Sequence, residues 1–236
     1  MPTPNGDVRL NKFLVDHGIA SRRGADRLIE DGVVTVNGTT AVLGQKISGT
    51  DHVAVNGKAV AERSKRVYLA YNKPVGIICT SDPKAQDNII DAINYPERIF
   101  HIGRLDVASS GLILLTNDGD IVNKILRAEG EHDKEYVVEV HKPVTQDFLY
   151  AMSNGVMLDD RRTLPARVYR ISPTSFSVTI VEGRNRQIRR MCEELGYEVV
   201  ALKRIRIMHI HLDKLPSGHF RHLTKQEEDT LIKNLK

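Results

Sequence analysis

Residues 101–120, HIGRLDVASSGLILLTNDGD, constrain this chain more than any other stretch. Leu112, Ile113, Leu114 and Leu115 form an apolar run with turn-forming residues on both sides. A short apolar run bounded in this way reads as a buried strand. Residues 103–111 then form a loop held at the end of a rigid sheet, where binding and catalytic side chains tend to sit. That loop carries Arg104 and Asp106 on either side of Leu105, which sets a cation and an anion together with an apolar wedge between them. A loop used only for connection has no need of the arrangement.

With 236 residues, 41% of them hydrophobic, the chain is long enough for one large domain or for a small and a medium one. Its net charge of +4 fits a polyanionic partner without establishing one. The distribution of charge says more. Basic residues gather at Arg22, Arg23 and Arg27, and again at Arg184, Arg186, Arg189, Arg190, Lys203, Arg204 and Arg206, interrupted each time by apolar residues at helix or strand spacing. Tryptophan is absent and aromatics make up 5%, so a base-stacking surface must rely on very few rings. Cys79 and Cys192 lie far apart with no CxxC spacing, which suits buried thiols in a reducing compartment. The first residues lack a signal-peptide core and no run approaches membrane-spanning length, so the expected location is the cytoplasm, with no membrane partner.

Taken in order, Leu10, Phe13 and Leu14 have helical spacing, with Gly18 as the stop. Ser21 caps a second helix that ends near Gly32. Two strand-plus-turn units follow, VVTVNG and DHVAVNG, each closing on Asn-Gly. The second helix carries Arg22, Arg23 and Arg27 at its start, where the cap and the helix dipole favour phosphate; a merely solvated face is the competing reading.

Beyond a polar linker, Val67, Leu69 and Tyr71 alternate as in a strand, and Lys73-Pro74 with Gly76 makes a turn. Asp118 is placed to cap a helix, KEYVVEV at 134–140 alternates as a strand, Thr145 caps a helix ending at Gly155, and two short alternating runs around residues 166–181 read as a hairpin. Gly183 is expected to open an Arg-rich helix with Ile188, Met191, Cys192 and Leu195 as its apolar stripe. Thr224 and Glu227 form a capping box for the last helix. Helices and strands mix without a regular strand-helix-strand repeat, so the expected class is α+β with a mostly antiparallel sheet.

Several chemistries are disfavoured. Asp106 and Asp118 fall at opposite ends of the apolar strand, which separates them too far for a paired-carboxylate or two-metal site. His209 and His211 have no further ligand nearby, so no metal is expected. Ser109-Ser110 lacks the strand-to-helix elbow of a serine nucleophile. What remains is one carboxylate beside an arginine, a strand tyrosine at Tyr136 and an Arg-rich segment after Gly183. A lone loop aspartate is more often a turn former, and a strand tyrosine is often core.

Residues 9–38, RLNKFLVDHGIASRRGADRLIEDGVVTVNG, resemble an alpha-L RNA-binding domain, with Asn11 where that domain usually has Asp. GRLDVASSGLILLTNDG, KEY at 134–136 and EGRNRQIRRM at 182–191 resemble, in order, the three motifs of the pseudouridine synthases of the RsuA-like family, nearest its RluF-type branch. The resemblance implies an alpha-L domain over residues 8–57, a linker over 58–65 and a catalytic domain over 66–236, built on a mixed, mostly antiparallel sheet flanked by helices. It implies an isomerase that converts a uridine of ribosomal RNA, in the large subunit, to pseudouridine without a cofactor. The site it carries over has Asp106 as the catalytic carboxylate, Arg189 as its counter-charge and Tyr136 stacked on a flipped uracil. Arg104 would fill the vacated stack and Leu202 would pack against the base, while Arg22, Arg23, Arg27, Arg184 and Arg186 would hold RNA. Which uridine is modified stays open, a transfer RNA included, and a monomer is the default. Two other classes compete: an RNA-binding assembly factor without activity, and a metal-dependent nuclease, against which the missing carboxylate cluster argues.

Overall fold

The computed structural model describes residues 7–62, 65–82, 84–126 and 132–235. Two compact units divide between Arg66 and Val67. In the first, the helix Leu10–Asp16 ends before Gly18, which takes the left-handed conformation at φ 74°, and Ser21 Oγ accepts from the Gly24 amide to start the helix Arg22–Glu30. Asn37-Gly38 and Asn56-Gly57 are both left-handed, as a tight hairpin turn requires, and they close a four-stranded antiparallel sheet whose central strands are Val34–Val36 and Val53–Val55. Leu10, Leu14, Ala25, Ile29, Val34 and Val53 make its small core. Asn11, in the position usual for Asp, donates to Asp26 Oδ1 at 2.8 Å and ties the two helices together. One expectation needs correction. Lys58–Ala59, assigned to the linker, is a strand paired with Val53–Val55, because the Asn-Gly turn returns the chain along its neighbour. Residues 63–64 of that linker lie outside the described residues.

The second unit is organised by a nine-stranded mixed sheet. Its path runs Arg167–Ser172, Ser175–Ile180, Lys134–Val140, Val199–Ile207, Ser110–Thr116, Tyr68–Lys73 and Phe220–His222. Every pairing among the described strands is antiparallel except that of Val199–Ile207 with Ser110–Thr116. Tyr68–Lys73 is buried along its whole length. Leu69 and Tyr71 face one apolar cluster with Ile113, Leu115 and Val138, while Tyr68 and Ala70 face a second with Leu112, Leu114, Ile121 and Leu231. With both faces covered, Tyr68, Leu69, Ala70 and Tyr71 are all buried in succession, where a strand with one wet face would alternate apolar with polar.

The capping expectations at Thr145 and Thr224 hold, with Oγ1 of each accepting from the third residue of its helix. The Arg-rich helix does not open at Gly183. It spans Gln187–Glu194, and residues 183–186 form a loop whose local side-chain bonds compete with the helix. The Arg184 amide donates to Gln187 Oε1 at 3.0 Å, and Gln187 Nε2 donates to Glu182 Oε1 at 2.7 Å.

Candidate active site

The central strand begins where the chain emerges from residues 103–109. His101 Nδ1 donates to the Gly103 carbonyl at 2.7 Å, a carbonyl being able only to accept, and burial pushes the pKa of the ring down. Leu105 is buried, and its amide points at Cys79 Sγ at 3.4 Å. The wedge thus anchors in the core while Arg104 and Asp106 on either side both line a cavity of about 320 Å³. The Ser109 amide donates to the Asp106 carbonyl at 3.0 Å and closes a tight turn. Gly76 donates to Val107 O at 2.9 Å, which clamps the turn to the residues after Lys73. Lys73 is fully buried, with Nζ 2.8 Å from both Pro74 O and Ile77 O. Burial pushes its pKa down, against the charge of Asp106.

Gly111 makes the parallel pairing possible. Its φ of +103° suits glycine alone, and a Cβ there would stand 2.2 Å from the Arg204 carbonyl oxygen. The close approach brings the strand bearing Leu202 and Arg204 against the strand that follows the Asp106 loop. Both side chains face the cavity, as does Tyr136 from the next strand.

The counter-charge assignment changes. Arg186 Nη1, not Arg189, lies within ion-pair distance of Asp106, at 3.7 Å from Oδ2. Arg186 has φ 48°, a left-handed backbone that costs a non-glycine residue about 1 kcal/mol or more and turns its side chain over the loop. Arg189 instead holds the turn itself. Its Nη2 donates to Ala108 O at 2.9 Å and reaches Ser109 Oγ at 3.4 Å, and its Nη1 donates to Val199 O at 3.2 Å. Burial and the charge of Arg186 push its pKa down, and the charge of Asp106 works against them. Arg189 is thus electrostatically coupled to Asp106 while its hydrogen bonds fix the backbone beside it.

Arg184, expected to hold RNA, has its donors engaged within the chain: Nε to Glu182, and Nη1 and Nη2 to the carbonyls of Arg161 and Arg162 at 2.9 and 2.8 Å. Arg104 is exposed at the rim of the cavity. Leu202 and Tyr136 are buried in its wall. Arg22, Arg23 and Arg27 are exposed on the helix of the first unit. Three charged lining residues escaped the sequence reading as site members: Lys134, Glu182 and Arg204. Glu182 accepts from the Leu164 amide, Arg184 and Gln187, which leaves Asp106 as the lining carboxylate whose oxygens face the cavity without a close hydrogen bond among the described residues.

Residues 67–194 match the family described as RNA pseudouridylate synthase, and residues 8–51 match the S4 domain. The chain is 49% identical over 232 residues to the dual-specificity RNA pseudouridine synthase RluF of Escherichia coli (strain K12), covering 98% of this chain and 80% of that one. It is 41% identical over 228 residues to the ribosomal large subunit pseudouridine synthase B of Bacillus subtilis (strain 168), covering 93% of each. A crystal structure of a pseudouridylate synthase superposes with a TM-score of 0.69 at 31% identity, over 95% of this chain and 99% of that one. The chain therefore belongs to the RNA pseudouridylate synthases, isomerases that convert uridine in RNA to pseudouridine, and carries an S4 domain ahead of the catalytic unit.

Proposed function

We propose that this enzyme isomerises a uridine of large-subunit ribosomal RNA, with Asp106 as its catalytic carboxylate. The ribosomal assignment is supported by the names of its relatives, the Bacillus subtilis enzyme in particular. The role of Asp106 rests on one observation: it is the lining carboxylate left available at the cavity, with the Arg186 guanidinium 3.7 Å away.

The reaction balances within the substrate. The bond between C1′ and N1 breaks with its electron pair passing to the base, the base turns, C5 bonds to C1′, and the proton from C5 is lost as N1 gains one. No oxidant, reductant or phosphoryl donor enters that balance. Asp106 assists the cleavage and the proton removal. A paired uridine must first leave its stack, which costs a few kcal/mol. Arg104 at the rim offers a guanidinium plane to the gap. Tyr136 and Leu202 enclose the base inside. Arg22, Arg23 and Arg27 hold phosphates and set the register of the RNA, without reading sequence.

The reading extends to a monomer acting in the cytoplasm. The free, buried thiols of Cys79 and Cys192 suit a reducing compartment. Mapping pseudouridine in ribosomal RNA from a deletion strain, complemented with wild type or Asp106→Asn, tests the proposal. The expected result is one or more sites lost on deletion, restored by wild type and absent with the variant. An unchanged map on deletion refutes the ribosomal target, and full restoration by Asp106→Asn removes the carboxylate from the mechanism.

A further inference from the structure

Arg204 is 4% exposed, sits in the wall of the cavity and makes no ion pair with a carboxylate among the described residues. Its Nε donates to Leu112 O at 2.6 Å and its Nη1 reaches Tyr136 Oη at 3.5 Å. Its Nη2 is buried without a hydrogen-bond partner. A guanidinium presents five N–H donors and no acceptor, and a buried donor left without a partner costs free energy. The neighbouring cation offers it nothing. Lys134 Nζ donates to His132 O at 2.8 Å and to Val181 O at 3.3 Å, and its pKa is lowered by burial and by the charge of Arg204. This part of the cavity wall is therefore positively charged and donor-rich.

We propose that Arg204 is the group that recognises uracil: its Nη2 donates to a ring carbonyl oxygen of the flipped base. The proposal rests on the cavity being the uridine site. Uracil presents two carbonyl oxygens, and accepting a bond from Nη2 satisfies the orphaned donor. The same contact favours reaction. When the glycosidic electron pair passes to the base, negative charge spreads onto those oxygens, and a fixed cation already in place stabilises it more than it stabilises the neutral base. A cytosine placed with its amino group at Arg204 would oppose donor to donor and leave both unpaired, a stronger basis for rejection than shape.

The test replaces the oxygen. Sulfur is a poorer acceptor, so RNAs carrying 2-thiouridine or 4-thiouridine at the modified position report whether a carbonyl is bonded, and Arg204→Lys and Arg204→Gln report the partner. Wild type should turn over one of the thio-substrates about tenfold or more slowly than uridine, and the Arg204→Gln variant should lose that discrimination while turning over all substrates more slowly. Arg204→Lys should restore part of the rate. Equal thio effects in wild type and Arg204→Gln, or a wild-type effect below about twofold at both positions, overturn the proposal; the wild-type comparison stands even if the variants fail to fold. Failure of wild type to convert the unmodified RNA would instead refute the uridine site on which the proposal rests.

Discussion

Arg186 Nη1 stands 3.7 Å from Asp106 Oδ2, and the left-handed backbone of Arg186 places it there. Arg189, one helical turn further on, bonds to Ala108 O, two residues beyond the carboxylate. One arginine supplies charge to Asp106 and the other holds the loop that carries it.

The two arginines should therefore separate in experiment. Arg186→Gln is expected to lower kcat about 10- to 100-fold with stability within about 0.5 kcal/mol, since the side chain is half exposed. Arg189→Ala should lower kcat and also cost about 1–3 kcal/mol, because it removes the hydrogen bonds to the Ala108 and Val199 carbonyls that hold the turn. Pseudouridine formation rates and urea denaturation read the two effects; equal stability loss in both variants would contradict the division.

Gly111→Ala should destabilise the catalytic unit by about 3–5 kcal/mol, combining a strained φ with a Cβ driven into the Arg204 carbonyl. Thermal unfolding of the purified variant checks it. A loss below about 1 kcal/mol would mean that the parallel pairing adjusts freely.

Substituting Arg22, Arg23 and Arg27 by Gln should weaken RNA binding and reduce the slope of log K against log salt by about one for each phosphate no longer neutralised. The turnover rate at saturating RNA should hold. A salt slope unchanged in the triple variant would exclude this helix from the interface.

Glu227 carries a pH prediction. Its hydrogen bonds to Arg221, at 2.7 and 2.8 Å, lower its carboxyl pKa, burial works against them, and the Thr224 amide lowers it further. A carboxylate with a depressed folded-state pKa contributes stability above its unfolded pKa of about 4.3 and loses it as pH falls through the folded value. Wild type should exceed Glu227→Gln in melting temperature by a constant margin above about pH 5, and the margin should close as pH falls below about 4. A margin independent of pH would assign the effect to packing.

Much of the framework is legible in the sequence. The capping residues Ser21, Thr145 and Thr224 and the Asn-Gly turns act within a few residues of chain, so their chemistry is local. The apolar run at 112–115 marks the central strand for the same reason. The start of the Arg-rich helix is not legible, because Glu182 and Gln187 bond to each other and to nearby backbone groups, a local competition that a helical apolar stripe does not reveal. Arg204 reads in sequence as one of three charges on a basic strand. Its burial follows from that strand lying between 134–140 and 110–116, which turns Leu202 and Arg204 inward, leaves Lys203 exposed and pairs Arg206 with Asp133 and Glu135.

The sequence by itself determined the local elements, the two basic segments and the Asp106 loop, since capping, turn and periodicity rules act over a few residues. Only the tertiary structure decided which arginine meets Asp106, which holds the loop and which lies unpaired in the wall. Those roles depend on distances set when strands remote in the chain pair side by side, and no spacing along the chain encodes them.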